Sequence, residues 1–204
     1  MLSTLGNEPA TAERLRVVAK ITTVRTTILP LPWLGLPNVN AIEVRPARVR
    51  DARAIKSLID HYAGKVVLGK ELVTLYEDIQ EFRVAEDEGH IVGCGALHVL
   101  WEDLAEIRTV AVDPMEKGRG VGHLIVDRLI ERAAELGLSR IFVLTFETEF
   151  FGRHGFRPIA DTPVPPEVYE EIRRSPDEGV AQFLDLAHVK PNTLGNTRML
   201  LQLA

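Results

Sequence analysis

A single cysteine, Cys94, stands among the 204 residues, so no internal disulfide can form, and a reducing cytoplasm is the expected compartment. No apolar run approaches the roughly 18 residues of a membrane span, so no membrane partner is expected. Basic charge is not in excess: 24 Lys and Arg against 29 Asp and Glu give a net charge of −5. With an isoelectric point near 5.7, nothing argues for nucleic acid or an anionic membrane surface as partner. Metal-ligand spacing is missing too. His98 and His123 have no companion at a ligand interval, and no metal site is expected. What the chain does have is ordinary for a soluble globular protein, with 46% hydrophobic and 26% charged residues, ample for a core. Its length allows one good-sized domain, or one domain plus an arm.

Residues 1–43 read differently from the rest. Arg14, Arg16, Lys20 and Arg25 occur without an acid from Arg14 to Ile42, and Pro30, Pro32, Gly35 and Pro37 break any regular element. The early Glu8 and Glu13 and the missing secretory core count against a targeting peptide, so an appended arm, or an upstream start that extends the true protein, is expected, followed by a domain over 44–204.

Within that domain, Arg45-Pro46-Ala47-Arg48 predicts the first strand. Asp51 is expected to cap a helix whose Ala52, Ile55, Ile59 and Tyr62 share one face, with Gly64 ending it. A second helix is expected over 70–80, with Leu72, Leu75 and Ile79 inward. Three strands over 82–86, 91–100 and 104–112, joined by Asp87-Glu88-Gly89-His90 and Trp101-Glu102-Asp103, predict an antiparallel meander. Arg140 to Thr145 reads as a buried strand that follows a helical crossover and so runs parallel to the 104–112 strand. A short helix over 147–154, a strand near 156–159, a helix over 166–174 and strands over 183–189 and 198–203 complete a mixed α/β layout. The C-terminal strands suggest a homodimer.

The middle of the chain carries the densest pattern. An apolar strand ends at Asp113-Pro114, Met115-Glu116-Lys117-Gly118-Arg119-Gly120-Val121-Gly122 follows, and a helix starts at once. Val121, Ile125, Leu129, Ala133 and Leu136 recur at helical spacing. Gly118, Gly120 and Gly122 let backbone N–H groups approach a ligand, the helix end adds partial positive charge, and Lys117 and Arg119 add full charges. A diphosphate is the natural occupant; a plain tight strand–helix connection is the bland reading. Two nucleotide folds do not fit. A nucleoside-triphosphate P-loop needs Lys-[Ser/Thr] where His123 and Leu124 stand, and the dinucleotide fingerprint needs a different spacing for its third Gly.

Lys117-x-x-Gly120-x-Gly122 after Val-Ala-Val-Asp-Pro resembles the acetyl-CoA loop of the GCN5-related N-acetyltransferases, Q/R-x-x-G-x-G/A, with Lys at the first position. Phe150-Phe151-Gly152-Arg153-His154-Gly155-Phe156 resembles the family's second signature. The likeness implies a largely antiparallel sheet, splayed where two adjacent parallel strands separate, with helices on both faces and acyl-CoA in the splay. It implies acetyl-CoA as co-substrate, held by Val110, Ala111, Val112, Lys117, Gly118, Arg119, Gly120, Val121, Gly122 and His123.

N-acetyl transfer needs a base for the amine, donors for the developing oxyanion and a way for the thiolate to leave. The resemblance implies Glu106 as the base, on the strand leading to the loop, and backbone N–H groups near Val110 to Val112 as the oxyanion donors. Many members use a Tyr to protonate the thiol; Phe151 stands there and cannot donate. Thr145, at the end of the parallel strand, carries a hydroxyl in a place suited to polarise the thiol. An ordinary strand residue is the competing reading.

Cys94-Gly95-Ala96-Leu97-His98, Glu106-x-x-x-Val110-Ala111-Val112, Ile141-Phe142-Val143-Leu144-Thr145 and Phe151-x-x-x-Gly155-Phe156-x-Pro158 further resemble the acetyltransferase domain of bacterial N-acetylglutamate synthases, in their short, stand-alone form. That implies glutamate, or glutamine, as acceptor at the first step of arginine biosynthesis. Its carboxylates need cations. Leu68 and Lys70 match the family's Leu-x-Arg segment with Lys for Arg, a point charge in place of a fork. Asn192, Thr197 and Arg198 match its Asn…Ser-Lys segment, and Arg108 and Thr109 flank the reacting centre. Another amine as acceptor (a protein N-terminus or a drug), or a CoA-binding sensor without turnover, are the competing expectations. Cys94 reads as a buried small residue rather than a nucleophile, and its flanking glycines as a bulge or a close ligand approach.

Overall fold

Among the described residues seven strands form one sheet, in the order β1-β2-β3-β4-β5-β7-β6. The computed structural model describes residues 42–63, 69–160, 162–175 and 195–203, which lie in the unit Pro37–Ala204. The strands are β1 (Glu43–Pro46), β2 (Phe82–Asp87), β3 (His90–Trp101), β4 (Leu104–Val112), β5 (Arg140–Thr145), β6 (Arg157–Pro158) and β7 (Thr197–Gln202). Helices α1 (Ala52–Tyr62), α2 (Leu72–Glu77), α3 (Val121–Glu135), α4 (Thr148–Gly152) and α5 (Pro166–Ile172) connect them. Every strand pair is antiparallel except β4 with β5.

The period-2 alternation of the strands sorts side chains to two faces. Ala105 and Ile107 of β4 and Ile141 and Val143 of β5 pack with Val121, Ile125, Leu129 and Ala133, the buried stripe of α3. On the opposite face Ile55 and Ile59 of α1 and Leu75 of α2 pack on Phe82, Val84, Cys94, Ala96 and Ala111. Leu100, Leu104, Phe142 and Ile172 form a third cluster.

Gly93 and Gly95 have a reason other than a ligand. A Cβ on either would stand 2.8 Å from a methyl of Ile125, so both are set by the close approach of α3. A bulge does lie opposite Gly95, but its extra residue is on β4: the register slips between Cys94 and Ala96, and Thr109 takes φ 58°.

Several boundaries differ from those the pattern predicts. The second helix is shorter, Leu72–Glu77, and passes into a 3-10 turn over Ile79–Glu81. Leu136 does not join the α3 stripe; the helix ends at Glu135, and Leu136 is exposed while Leu138 takes the core position. Asp51 does not cap α1 through its side chain, because a 3-10 turn over Val49–Asp51 comes first. Its carboxylate instead accepts from the Arg48 backbone N–H at 2.8 Å and from Arg45 Nη1 at 2.7 Å. The expected strand over 183–189 and the end of the first helix at Gly64 lie outside the described residues.

Candidate active site

The parallel pair holds for only three residues. Leu104 pairs with Arg140, Ala105 with Ile141 and Glu106 with Phe142. Past Glu106 the two strands share no further pairing, although β4 runs on to Val112 and β5 to Thr145. On its other edge β5 pairs with β7 along its whole length. The left-handed Thr109 bends β4 at this point, since a bulge turns the strand and sharpens its twist. A fork thus opens between β4 and β5, and Glu106 sits at its apex, 4% exposed.

Beyond the fork β4 delivers the chain to the glycine turn. A 3-10 turn, Pro114–Glu116, is fixed by Asp113, whose carboxylate accepts from the Met115 N–H at 2.9 Å. Gly118 and Gly120 take φ of 88° and 79°, a region L side chains rarely adopt, and a Cβ on either would meet nothing within 4 Å. The turn requires these glycines, and the space in front of them is open. The first free N–H groups of α3 stand behind it; Leu124 N–H is already bonded to the Gly120 carbonyl at 3.1 Å. Tyr62 ties α1 to the lip of the turn by donating its hydroxyl proton to the Val112 carbonyl at 2.7 Å. The two expected cations behave differently. Lys117 is exposed, whereas Arg119 is bound to Asp87 at 2.7 Å and to Glu116, so its charge is largely compensated.

On the other arm of the fork Thr145 is buried, and its Oγ1 accepts from the Glu147 N–H at 2.9 Å as the chain enters α4. A hydroxyl that accepts there still has its own proton to donate. Phe151 is core, edge-on to Phe156 at 5.4 Å between ring centroids. Phe150 covers Gly122 and His123, its ring 4.6 Å from the imidazole. His123 Nδ1 lies 2.8 Å from His154 Nε2, and His154 Nδ1 lies 2.9 Å from an Asp127 oxygen. Burial, more than the nearness of His123, lowers the His154 pKa against the pull of Asp127.

Around Glu106 the sheet face carries a polar group set between apolar clusters. Glu106 stands directly across from His98, and Arg108 lies two residues on along β4, on the same face. Arg108 Nη2 bonds Glu81 Oε2 at 3.1 Å and lies 3.8 Å from Asp78. Lys70 Nζ reaches the same Asp78 carboxylate at 3.3 Å. His98 Nδ1 and Glu81 Oε1 are 2.7 Å apart. Burial alone would raise the Glu81 carboxyl, but the hydrogen bond and charge of His98, with Arg108 beside it, hold it below the usual carboxylate range. Lys70 and Arg108, expected from the sequence, therefore meet at Asp78, and each already faces an acid. Asp78, Glu81 and His98 were not singled out by their local pattern, because their partners lie far along the chain. Thr197 and Arg198 begin β7, paired with Thr145 and Leu144 on the β5 side of the fork. Leu68 and Asn192 lie outside the described residues.

Cys94 is inert: burial pushes its thiol up to about 12. Among the described residues no group of three His, Cys, Asp or Glu side chains is arranged to hold a metal, and no helix is long and apolar enough to cross a membrane.

A mixed sheet forked at one parallel pair, with a buried carboxylate at the apex and a glycine turn feeding a helix, defines an acyl-transfer scaffold. Residues 54–156 match the model of the Acetyltransferase (GNAT) family. The amino-acid acetyltransferase of Mycobacterium tuberculosis is 65% identical over 163 residues, spanning 78% of this chain and 94% of that protein. The crystal structure of Rv2747 from Mycobacterium tuberculosis, in complex with CoA and NLQ, superposes with a TM-score of 0.78 at 64% identity, over 79% of this chain and 99% of that one. N-acetylglutamate synthase from Neisseria gonorrhoeae, complexed with coenzyme A and N-acetyl-glutamate, shares the fold, with a TM-score of 0.65 at 24% identity over 80% of this chain and 35% of that one. The chain belongs to the GNAT family and is an acetyltransferase.

Proposed function

We propose that the chain transfers the acetyl group of acetyl-CoA to the α-amine of an amino acid, with L-glutamate as acceptor and L-glutamine as its competitor, the opening reaction of arginine biosynthesis. The observation that carries this reading is the placement of Glu106: a buried carboxylate at the last paired residue of a fork whose other landmark is an open glycine turn. The name of the Mycobacterium tuberculosis relative supports an amino acid as acceptor, and the open fork and turn fit an extended acyl-CoA.

In this reading the glycine turn (Lys117, Gly118, Arg119, Gly120) and the first N–H groups of α3 (Val121, Gly122, His123) hold the diphosphate, and the thioester lies in the fork. Glu106 takes one proton from the acceptor ammonium, directly or through one water. An α-amine has a reference pKa of about 7.7–8.0, so no extreme shift is needed for that transfer. The neutral nitrogen attacks the thioester carbon. Backbone N–H groups at Val110, Ala111 and Val112, on the stretch of β4 released from β5, meet the oxyanion. The C–S bond then breaks, CoA leaves as thiolate polarised by the Thr145 hydroxyl, and the nitrogen sheds its second proton to solvent as the amide forms. A thiol of pKa about 8.5 needs only modest help to do so.

Lys70 and Arg108 meet the acceptor's carboxylates, with Thr109, Thr197 and Arg198 lining the same end. Their pairing with Asp78 and Glu81 leaves this end balanced in charge, which supports glutamine, with a neutral side-chain amide, as a competing acceptor.

The test is thiol release from acetyl-CoA against the twenty amino acids at near-neutral pH. Turnover confined to glutamate and glutamine is expected. Turnover with none of them, by a protein that still binds CoA, would overturn the amino-acid reading and move the search to peptide and drug amines.

A further inference from the structure

Two histidines beside the glycine turn are joined in a chain of side-chain hydrogen bonds. His123, the third residue of α3, has Nδ1 2.8 Å from His154 Nε2, and His154 Nδ1 lies 2.9 Å from Asp127 Oδ1. Asp127 is one turn further along α3, and His154 belongs to the turn after α4. Phe150 of α4 covers the His123 ring, 4.6 Å between centroids, and packs on Gly122 beside it. The titratable groups joined to the ring are thus His154, whose side chain is 7% exposed, and the more exposed Asp127 behind it. Of the cations in the glycine turn, Lys117 is exposed and Arg119 is held by Asp87 and Glu116.

These contacts fix both tautomers. The Asp127 carboxylate accepts, so His154 donates from Nδ1. Burial disfavours an imidazolium at His154 and lowers its pKa, so its Nε2 keeps a lone pair. His123 must then donate to that lone pair from Nδ1, which leaves the lone pair of a neutral His123 on Nε2. A phosphate oxygen offers only lone pairs. It can bond to that nitrogen only after Nε2 has gained a proton.

We infer that binding of CoA takes up one proton at His123, whose ring Asp127 and His154 hold in the tautomer that a phosphate cannot use. One proton from solvent adds to the Nε2 lone pair, and no other bond changes. The imidazolium so formed stands at the first turn of α3 as a second cation beside Lys117, facing the diphosphate. Departure of CoA returns the proton to solvent. Asp127 and His154 act through His123 and are positioning residues. The inference rests on the reading that the diphosphate lies at the glycine turn.

The test is calorimetry of binding in Tris and in HEPES, whose different ionisation enthalpies reveal the protons exchanged. The probe is 3′-dephospho-CoA, because the 3′-phosphate of CoA itself titrates near pH 6 (about the second pKa of a phosphate monoester) and its diphosphate does not. At about pH 7.5 the wild type should take up roughly 0.5–1 proton per molecule bound. Its Kd should rise toward about tenfold per pH unit above the range where imidazoles titrate. His123→Gln, whose amide N–H donates at any pH, should bring the uptake below about 0.2 and flatten that rise. His154→Ala frees the ring to carry its proton on Nε2. It should cut the uptake while Kd at about pH 7.5 stays within about threefold of wild type, and it serves should His123→Gln fail to fold. A wild type that takes up no proton and keeps a flat Kd over this range overturns the inference. So does a His123→Gln or His154→Ala protein with undiminished uptake. Gly120→Glu, which sets a carboxylate and a strained positive φ in the turn, separates the two ideas. If it binds the probe as wild type does, the diphosphate reading fails and the proton uptake with it; if it loses binding while the wild type takes up no proton, only the uptake fails.

Discussion

Alternate residues of β4 have different roles. Ala105 and Ile107 point into the layer beneath α3, where Gly93 and Gly95 have given up side chains so that Ile125 can approach. Leu104, Glu106 and Arg108 point the other way, into a face where Lys70, Asp78, Glu81 and His98 interlock. One face is dry and packed around a helix. The other has apolar clusters of its own, under α1 and α2 and around Leu104 and Phe142, and also holds the polar group that carries the candidate chemistry. The same strand serves both because its side chains alternate, and the fork opens past Glu106, where β4 no longer pairs with β5. A rigid packed layer behind a polar one is what holding a base in register requires.

This contrast can be broken most sharply on the polar face. Glu106→Gln should lower turnover by about 100-fold or more while leaving CoA binding and thermal stability near wild type. Calorimetry with CoA and a melting curve check the two halves of that statement. The dry face should respond in the opposite way. Gly95→Val places a Cβ 2.8 Å from Ile125 Cγ2 and 3.1 Å from Leu129 Cδ1, and such overpacking costs about 1–3 kcal/mol. The melting temperature should drop, with activity per folded molecule far less affected than in Glu106→Gln.

A smaller effect sharpens the comparison at the rim of the polar face, where Asp51 anchors Arg45 of β1 in front of α1. The hydrogen bond from Arg45 holds the Asp51 carboxyl below its usual range. The contribution of that pair is therefore present above the unfolded Asp pKa of about 3.9 and is lost as pH falls through the lower folded value. Asp51→Asn should flatten the acid side of the stability–pH curve below about pH 4, by about 1–3 kcal/mol, as followed by urea titration.

Long, strongly patterned elements were legible in the sequence: β4, β5, the parallel crossover and the stripe of α3 lie where their periodicity puts them. Ends were less so. Asp51 read as a cap, but its carboxylate was claimed by Arg45, and Leu136 kept helical spacing one residue past the helix. Glycines flanking Cys94 signalled close approach, but only the fold shows that a helix is what approaches. The bulge at Thr109 had no sequence mark, since a threonine at positive φ is held there by the sheet around it. Pairs such as Arg108 with Glu81, 27 residues apart, are written in the tertiary fold alone. Hence the cations of the candidate site could be named in advance, while their counter-charges could not.

The most direct test of the central claim, that Glu106 at the apex of the fork serves the reacting amine, is a crystal structure of this protein with CoA and an N-acetylated amino acid bound. The account predicts the acetylated nitrogen within about 3.2 Å of the Glu106 carboxylate, or one water away from it, with the acetyl oxygen facing the N–H groups of Val110 to Val112. A product bound elsewhere, with Glu106 sealed from it by side chains, would contradict the account.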